Sequence, residues 1–238
     1  MIGSGITRLF GKASLTSSEH NDSGVDVLIT PMEGNNSTQQ QQRYRAKHTI
    51  LATGGYPIIP GGADDSVERY SISSDGFFDL NKLPRKAVVV GAGFIAVELA
   101  GVLVALGSDT SLVVRKEKAL RNFDELLSST LDEEMEHHGI NIYRNTMGVS
   151  HIIPNESTGL KTVVMYNGQQ IEDVDVIIMA AGRNPAVESL NLDAVGVRQK
   201  QGGYVEVDEY SQTNVENLYA VGDVCGNVEL TPMGKFTC

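Results

Sequence analysis

The sequence predicts an α/β fold: a Rossmann-like dinucleotide-binding domain, with a parallel sheet and a β-meander, inserted in the remaining part of a second domain. Three observations predict it. Residues 86–143 read as strand, helix, strand, helix, strand with short connections. Residues 149–179 hold three short strand candidates separated by turn residues. Three apolar stretches, at 49–52, 177–180 and 218–221, each run into a glycine turn.

The βαβαβ stretch rests on periodicity. Lys86 to Val90 is a continuous β-branched run, as expected of a strand covered on both faces. Ile95, Leu99, Val102, Leu103 and Leu106 recur at helical spacing, and Gly107 is a plausible stop. Ser111–Val114 is the next buried strand, Leu126–His137 a second amphipathic helix ended by Gly139, and Ile140–Tyr143 a third strand. Such a unit folds as a parallel sheet with right-handed crossovers. His151–Ile153, Thr162–Tyr166 and Val174–Met179 form the expected meander, with Asn167-Gly168 as a hairpin turn. Upstream, Ile6–Phe10 alternates like a strand and Val25–Ile29 reads as another. Pro31–Gln42, with four consecutive glutamines, reads as an exposed loop; Thr49–Ala52 reads as a buried run, and Tyr56–Gly62 as a connector. The expected division is 57–203 for the dinucleotide domain, with 1–56 and 204–238 in the other.

Composition narrows the function. Nineteen Lys and Arg against thirty Asp and Glu give a net charge of −11, which disfavours a general nucleic-acid binder. No apolar run approaches the roughly 20 residues of a membrane span. Two cysteines, Cys225 and Cys238, exclude a disulfide scaffold and a four-cysteine zinc site, and the five histidines show no metal spacing. Residues 1–18 are basic without an acid but contain no secretory apolar core.

The chemistry starts at Val90-Gly91-Ala92-Gly93-Phe94-Ile95-Ala96, a G-x-G-x-x-A that closes a strand and opens a helix. That context makes the motif specific for a dinucleotide. Gly91 permits the tight turn, Gly93 lets backbone approach a pyrophosphate, and Ala96 permits close helix–strand packing. The helix N-terminus offers free N–H groups and a positive dipole end to the phosphates. An acid at the end of the following strand would select NAD. Here that place holds Arg115, followed by Lys116, Lys118 and Arg121. An arginine fork suits a 2′-phosphate, so NADPH is expected over NADH; a solvated basic loop is the alternative.

Six segments then resemble the two-dinucleotide disulfide-reductase flavoproteins, the pyridine nucleotide-disulfide oxidoreductase family, and within it the glutathione-reductase branch. They are Ile50–Gly55, Ser74–Phe78, Val90–Gly101, Val114–Arg121, Ala181–Pro185 and Ala220–Gly226, in the family's order. The resemblance implies FAD as a second cofactor, so the second domain would be a partial FAD-binding domain. It implies that Gly91, Ala92, Gly93 and Ile95 line the NADPH pyrophosphate and that Arg115 and Arg121 hold the 2′-phosphate. Phe94 matches an aromatic gate over the nicotinamide site, and Glu98 an acid beside nicotinamide and flavin. Gly182 and Arg183 match a turn at the cofactor. Ala52, Thr53 and Gly54 would approach FAD, Gly222 and Asp223 would meet its ribitol, and Thr231 would sit near the isoalloxazine. Hydride would pass from NADPH to FAD and the electrons to glutathione disulfide.

The departures are as specific. No strand–glycine–helix unit precedes residue 50, and the family's Cys-x4-Cys pair is missing. The dimerisation domain with its catalytic His–Glu pair is also missing. No catalytic residue and no metal ligand is therefore assigned, and Cys225 reads as a buried, inert thiol. The expectation is a truncated reductase, not competent alone. The alternatives are a non-catalytic NADPH-binding module and a partner of a full-length reductase subunit. The setting is cytoplasmic, with the mitochondrion left open.

Overall fold

A five-stranded parallel sheet forms where the sequence carries its continuous apolar runs. The computed structural model describes residues 5–17, 25–31 and 40–227. In chain order the strands are β1 (Lys12–Thr16), β2 (Val25–Thr30), β3 (Gln42–Ala46), β4 (Thr49–Leu51), β5 (Gly55–Pro57), β6 (Ile72–Ser73), β7 (Lys86–Val90), β8 (Asp109–Val113), β9 (Asn141–Tyr143), β10 (Val149–Pro154), β11 (Lys161–Met165), β12 (Gln170–Val174), β13 (Val176–Met179), β14 (Arg183–Pro185) and β15 (Leu218–Ala220). The helices are α1 (Ser66–Tyr70), α2 (Phe94–Ala105) and α3 (Glu125–His137). The chain forms two compact units, one from residues 57–183 and one from the segments on either side.

In the 57–183 unit the sheet order is β6-β13-β7-β8-β9, parallel throughout. Alternate residues of each strand face opposite layers. Ala87 and Val89 of β7, Leu112 of β8 and Ile178 of β13 pack with Ala96, Leu99, Leu103 and Met135 of α2 and α3. Val88, Val90, Val113, Ile177 and Met179 pack instead with Ile152, Val163, Met165 and Ile171 of the antiparallel meander β10-β11-β12. Both faces are covered, as a parallel sheet requires. Each fully buried Leu or Ile contributes about 1.5–3 kcal/mol from apolar burial.

The other unit is built differently. β1, β2 and β3 form an antiparallel sheet, and among the described residues β4 pairs in parallel with β15. Leu15, Leu51, Leu190, Leu192, Val205, Leu218 and Val224 share its core. Asp26 on β2 is buried, and two arginines of β3 compensate its charge: Arg43 Nη2 donates at 2.6 Å and Arg45 Nη1 at 2.9 Å.

Several expectations change. Ile6–Phe10 alternates but is no strand; Ile6 and Phe10 are exposed. The strand is Lys12–Thr16, because pairing Leu15 against Val27 buries Leu15. Gln42–Ala46, expected as loop end and unassigned chain, is a strand through its pairing with β2. In Thr49–Ala52, Ile50 is 63% exposed. The run Val174–Met179 belongs to two sheets: Val174 ends meander strand β12, and Val176 begins β13 of the parallel sheet. The Asn167-Gly168 hairpin is present, joining β11 to β12. Residues 184–203, expected with the dinucleotide domain, bury Leu190, Leu192 and Val197 in the core of the other unit. Among the described residues no helix is long and apolar enough to cross a membrane.

Candidate dinucleotide site

In the 57–183 unit, β7 runs into Gly91-Ala92-Gly93 and α2 starts at Phe94. Gly91 N–H donates to Val113 O at 3.0 Å, tying the turn to the end of β8. A Cβ at Gly91 would stand 2.2 Å from Ala180 O and 3.0 Å from the Ala96 methyl, so no larger residue fits. This is why the motif needs a glycine at 91 and a small residue at 96. At Gly93 the opposite holds: nothing lies within 4 Å of an added Cβ. Gly93 is the N-cap of α2 and has no side-chain cap, so the helix N-terminus faces open space, as a pyrophosphate would require. Phe94 and Ile95 are half-buried and Glu98 is exposed in the first turns of α2.

The flanking strands end beside this turn. Strand β13 pairs with β7 on one side and β8 pairs with it on the other. The chain order β7, β8, β9 proceeds one way across the sheet and β13 returns on the other. The point where the order reverses lies between β7 and β13, where Gly91 meets Ala180. Open α/β sheets bind ligands in the crevice at the carboxyl ends of strands at such a point. β13 continues into Ala180-Ala181-Gly182-Arg183. Ile58 N–H donates to Gly182 O, and Arg183 Nη1 donates to Asp75 Oδ1 at 2.8 Å. β8 continues into Val114 and Arg115, whose aliphatic stem runs beside Gly148. Arg115, Lys116 and Arg121 are exposed.

The loop after Arg115 is anchored at several atoms. Leu120 N–H donates to Ala92 O at 2.8 Å, joining the loop to the glycine turn. Ala119 N–H donates to Asp132 Oδ1 at 3.4 Å, and Ser128 Oγ donates to Ala119 O at 2.6 Å. Lys118 pairs with Glu125 and holds that carboxyl below its usual range, chiefly through their hydrogen bond. Burial works against the charge of Arg144, but bonds to Glu136 and Asp132 more than offset it and raise its pKa.

In the other unit, Ala52-Thr53-Gly54 follows β4 and Gly222-Asp223 follows the parallel neighbour β15. Val221 N–H donates to Leu51 O at 2.9 Å, so both turns lie at the same end of this pair. Gly54 (φ +68°) and Gly222 (φ +78°) both adopt left-handed backbone with nothing near an added Cβ, and Ala52 and Thr53 are exposed. Thr231 and Cys238 lie outside the described residues. Cys225 is buried, and burial pushes its thiol up from the ordinary value.

The pyridine nucleotide-disulphide oxidoreductase family matches residues 4–235. The chain belongs to this family. Glutathione reductase of Yarrowia lipolytica is 38% identical over 230 residues, covering 96% of this chain and 47% of the relative. Glutathione reductase of Schizosaccharomyces pombe is 35% identical, covering 96% and 46%. The chain thus spans under half the length of these two family members. The fold matches LpdA from Mycobacterium tuberculosis with a TM-score of 0.80 at 24% identity, covering 95% of this chain and 47% of that one. It matches the Cu(II) complex of the flavoprotein disulfide reductase RclA from Escherichia coli with a TM-score of 0.79 at 22% identity, covering 95% and 48%. Family members bind FAD and a nicotinamide cofactor.

Sequence reasoning missed the groups that support the site. Asp75 carries no sequence signal for its bond to Arg183. Ser128 and Asp132 carry none either, because two polar residues on a helix read as its solvent face. Their burial, 1% for Ser128 and 8% for Asp132, shows only in the structure.

Proposed function

We propose that this chain is the nicotinamide-nucleotide half of a glutathione-reductase-type disulfide oxidoreductase, selective for NADPH and carrying part of a FAD site. One observation carries the reading: the glycine turn, the Ala-x-Gly-Arg turn and the basic loop end three neighbouring parallel strands at one edge of the sheet. The glycine turn and the α2 N-terminus would take the pyrophosphate. Arg115 and Arg121 would form charge-assisted bonds to the 2′-phosphate. Phe94 would cover the nicotinamide pocket, Glu98 would lie at its rim, and Gly182-Arg183 would close its β13 side. Ala52, Thr53, Gly54, Gly222 and Asp223, with Thr231, are this chain's contribution to the flavin. FAD, when bound, supplies the redox chemistry by accepting hydride from the nicotinamide.

Glutathione disulfide is the substrate of the complete enzyme in this reading. This chain has no Cys-x4-Cys pair, and Cys225 is buried, so it is not expected to reduce that disulfide alone. A cytoplasmic or mitochondrial setting fits, since free thiols persist there. The burial of Cys225 also favours a second reading, a non-catalytic NADPH-binding module. A flavin spectrum on the purified chain separates the two.

The test of cofactor choice is an equilibrium titration of the purified chain with NADPH and NADH. NADPH should bind at least about tenfold tighter, a difference of about 1.4 kcal/mol. Arg115→Ala with Arg121→Ala should remove the preference. Equal affinities in the parent chain contradict the reading.

A further inference from the structure

The loop that carries Arg115 and Arg121 is anchored through the backbone of Ala119. Ala119, between them, is fully buried, and both of its backbone polar groups are satisfied by one face of α3. Asp132 Oδ1 accepts from its N–H, and Ser128 Oγ donates to its carbonyl. Ser128 and Asp132 stand four residues apart, which stacks them on the same helix face. Asp132 is held in turn: its Oδ2 accepts from Arg144 Nη2 at 3.3 Å and Nε at 3.4 Å, and Arg144 Nη1 donates to Glu136 at 2.6 Å. The next loop residue, Leu120, adopts φ +47° and donates to Ala92 O at the centre of the glycine turn. A non-glycine residue keeps that left-handed backbone only where its surroundings fix it.

We propose that Ser128 and Asp132 form a positioning clamp that sets the distance between the glycine turn and the basic loop, and so sets the preference for a nucleotide carrying a 2′-phosphate. The inference rests on the NADPH reading above. Arg115 and Arg121 are long, exposed side chains and lose rotamer freedom when they close on an anion. A loop held at 119 and 120 presents both from fixed Cα positions, which lowers that cost. The clamp works through backbone geometry, because both of its side chains bond to the Ala119 backbone. NADH uses the glycine turn but not the two arginines, so it should not feel the clamp. A role limited to satisfying buried backbone groups would instead weaken both nucleotides together or neither.

The experiment is equilibrium binding of NADPH and NADH to the full chain carrying Ser128→Ala, Asp132→Ala or Asp132→Asn. Ser128→Ala and Asp132→Ala should each weaken NADPH about tenfold and change NADH less than about twofold. Asp132→Asn keeps an acceptor for Ala119 N–H and should lose less than Asp132→Ala. Should Asp132→Ala fail to fold, Ser128→Ala and Asp132→Asn carry the test. Equal losses for both nucleotides, or no loss, in folded variants overturn the clamp. If the parent chain does not prefer NADPH, the 2′-phosphate reading fails, and the clamp is judged by amide exchange. Faster exchange at Ala119 and Leu120 in Ser128→Ala would then support it as a loop anchor, and unchanged exchange would overturn it.

Discussion

The two compact units use the same device, a parallel strand ending in a glycine turn, with different support. In residues 57–183 the strands before the glycine turn and the basic loop, β7 and β8, have paired neighbours on both sides, and helices and meander cover the faces of their sheet. In the other unit, among the described residues, β4 has one strand neighbour, β15, which meets a further segment at the single bridge Gln212–Tyr219, and Ile50 at the centre of β4 is 63% exposed. A parallel sheet is ordinarily buried on both faces. The contrast teaches that a glycine turn positions a ligand only as well as the strands beneath it are fixed. By that measure the glycine turn after β7 is fully supported and the turns after β4 and β15 are supported less.

The comparison can be broken first at the cores. Leu103→Ala empties a fully buried position of α2 and should cost about 2–5 kcal/mol, read as a fall in the urea midpoint. Ile50→Thr should change stability by under about 0.5 kcal/mol in the same measurement. Similar effects from the two would mean that Ile50 is covered in solution.

The two glycines of the nucleotide turn sharpen it. Gly91→Ala forces a methyl onto the Ala180 carbonyl and should destabilise by about 2–3 kcal/mol. Gly93→Ala meets no atom and should leave the midpoint nearly unchanged while weakening NADPH more than about tenfold. A Gly93→Ala variant with parent affinity would remove the pyrophosphate from that turn.

The smallest effect concerns Cys225. Its thiol is pushed up by burial, so the folded state holds the proton to higher pH than the unfolded chain. That contribution is complete below the ordinary thiol value of about 8.5 and is lost as pH rises past it. The urea midpoint should therefore fall from about pH 8.5 upward. Cys225→Ala should fall less over the same range. A parallel decline in both chains would assign the effect to other groups.

Much of the 57–183 unit was legible because its physics is local. Ala87–Val90 is buried on both faces, so it reads as an unbroken apolar run. Leu99 and Leu103 stand one helical turn apart on the face that packs on the sheet. The glycine turn was legible because close approach leaves no choice of residue at 91. What could not be read depends on partners distant in sequence. Periodicity favours Ile6–Phe10 as much as Lys12–Thr16, and only pairing with Val25–Thr30 decides between them. Val174 and Val176 are two residues apart, yet Asp175 between them bonds through its backbone and side chain to Lys86 of β7, and the run divides there between two sheets. Asp132 and Ser128 are ordinary helix residues until Ala119 is seen against them.

The most direct test of the account is calorimetric titration of the purified chain with NADPH and, separately, with FAD. The supported turn should bind NADPH at one site per chain, and the less supported turns should bind FAD at least about tenfold more weakly than NADPH. FAD binding tightly to a chain that does not bind NADPH would contradict it.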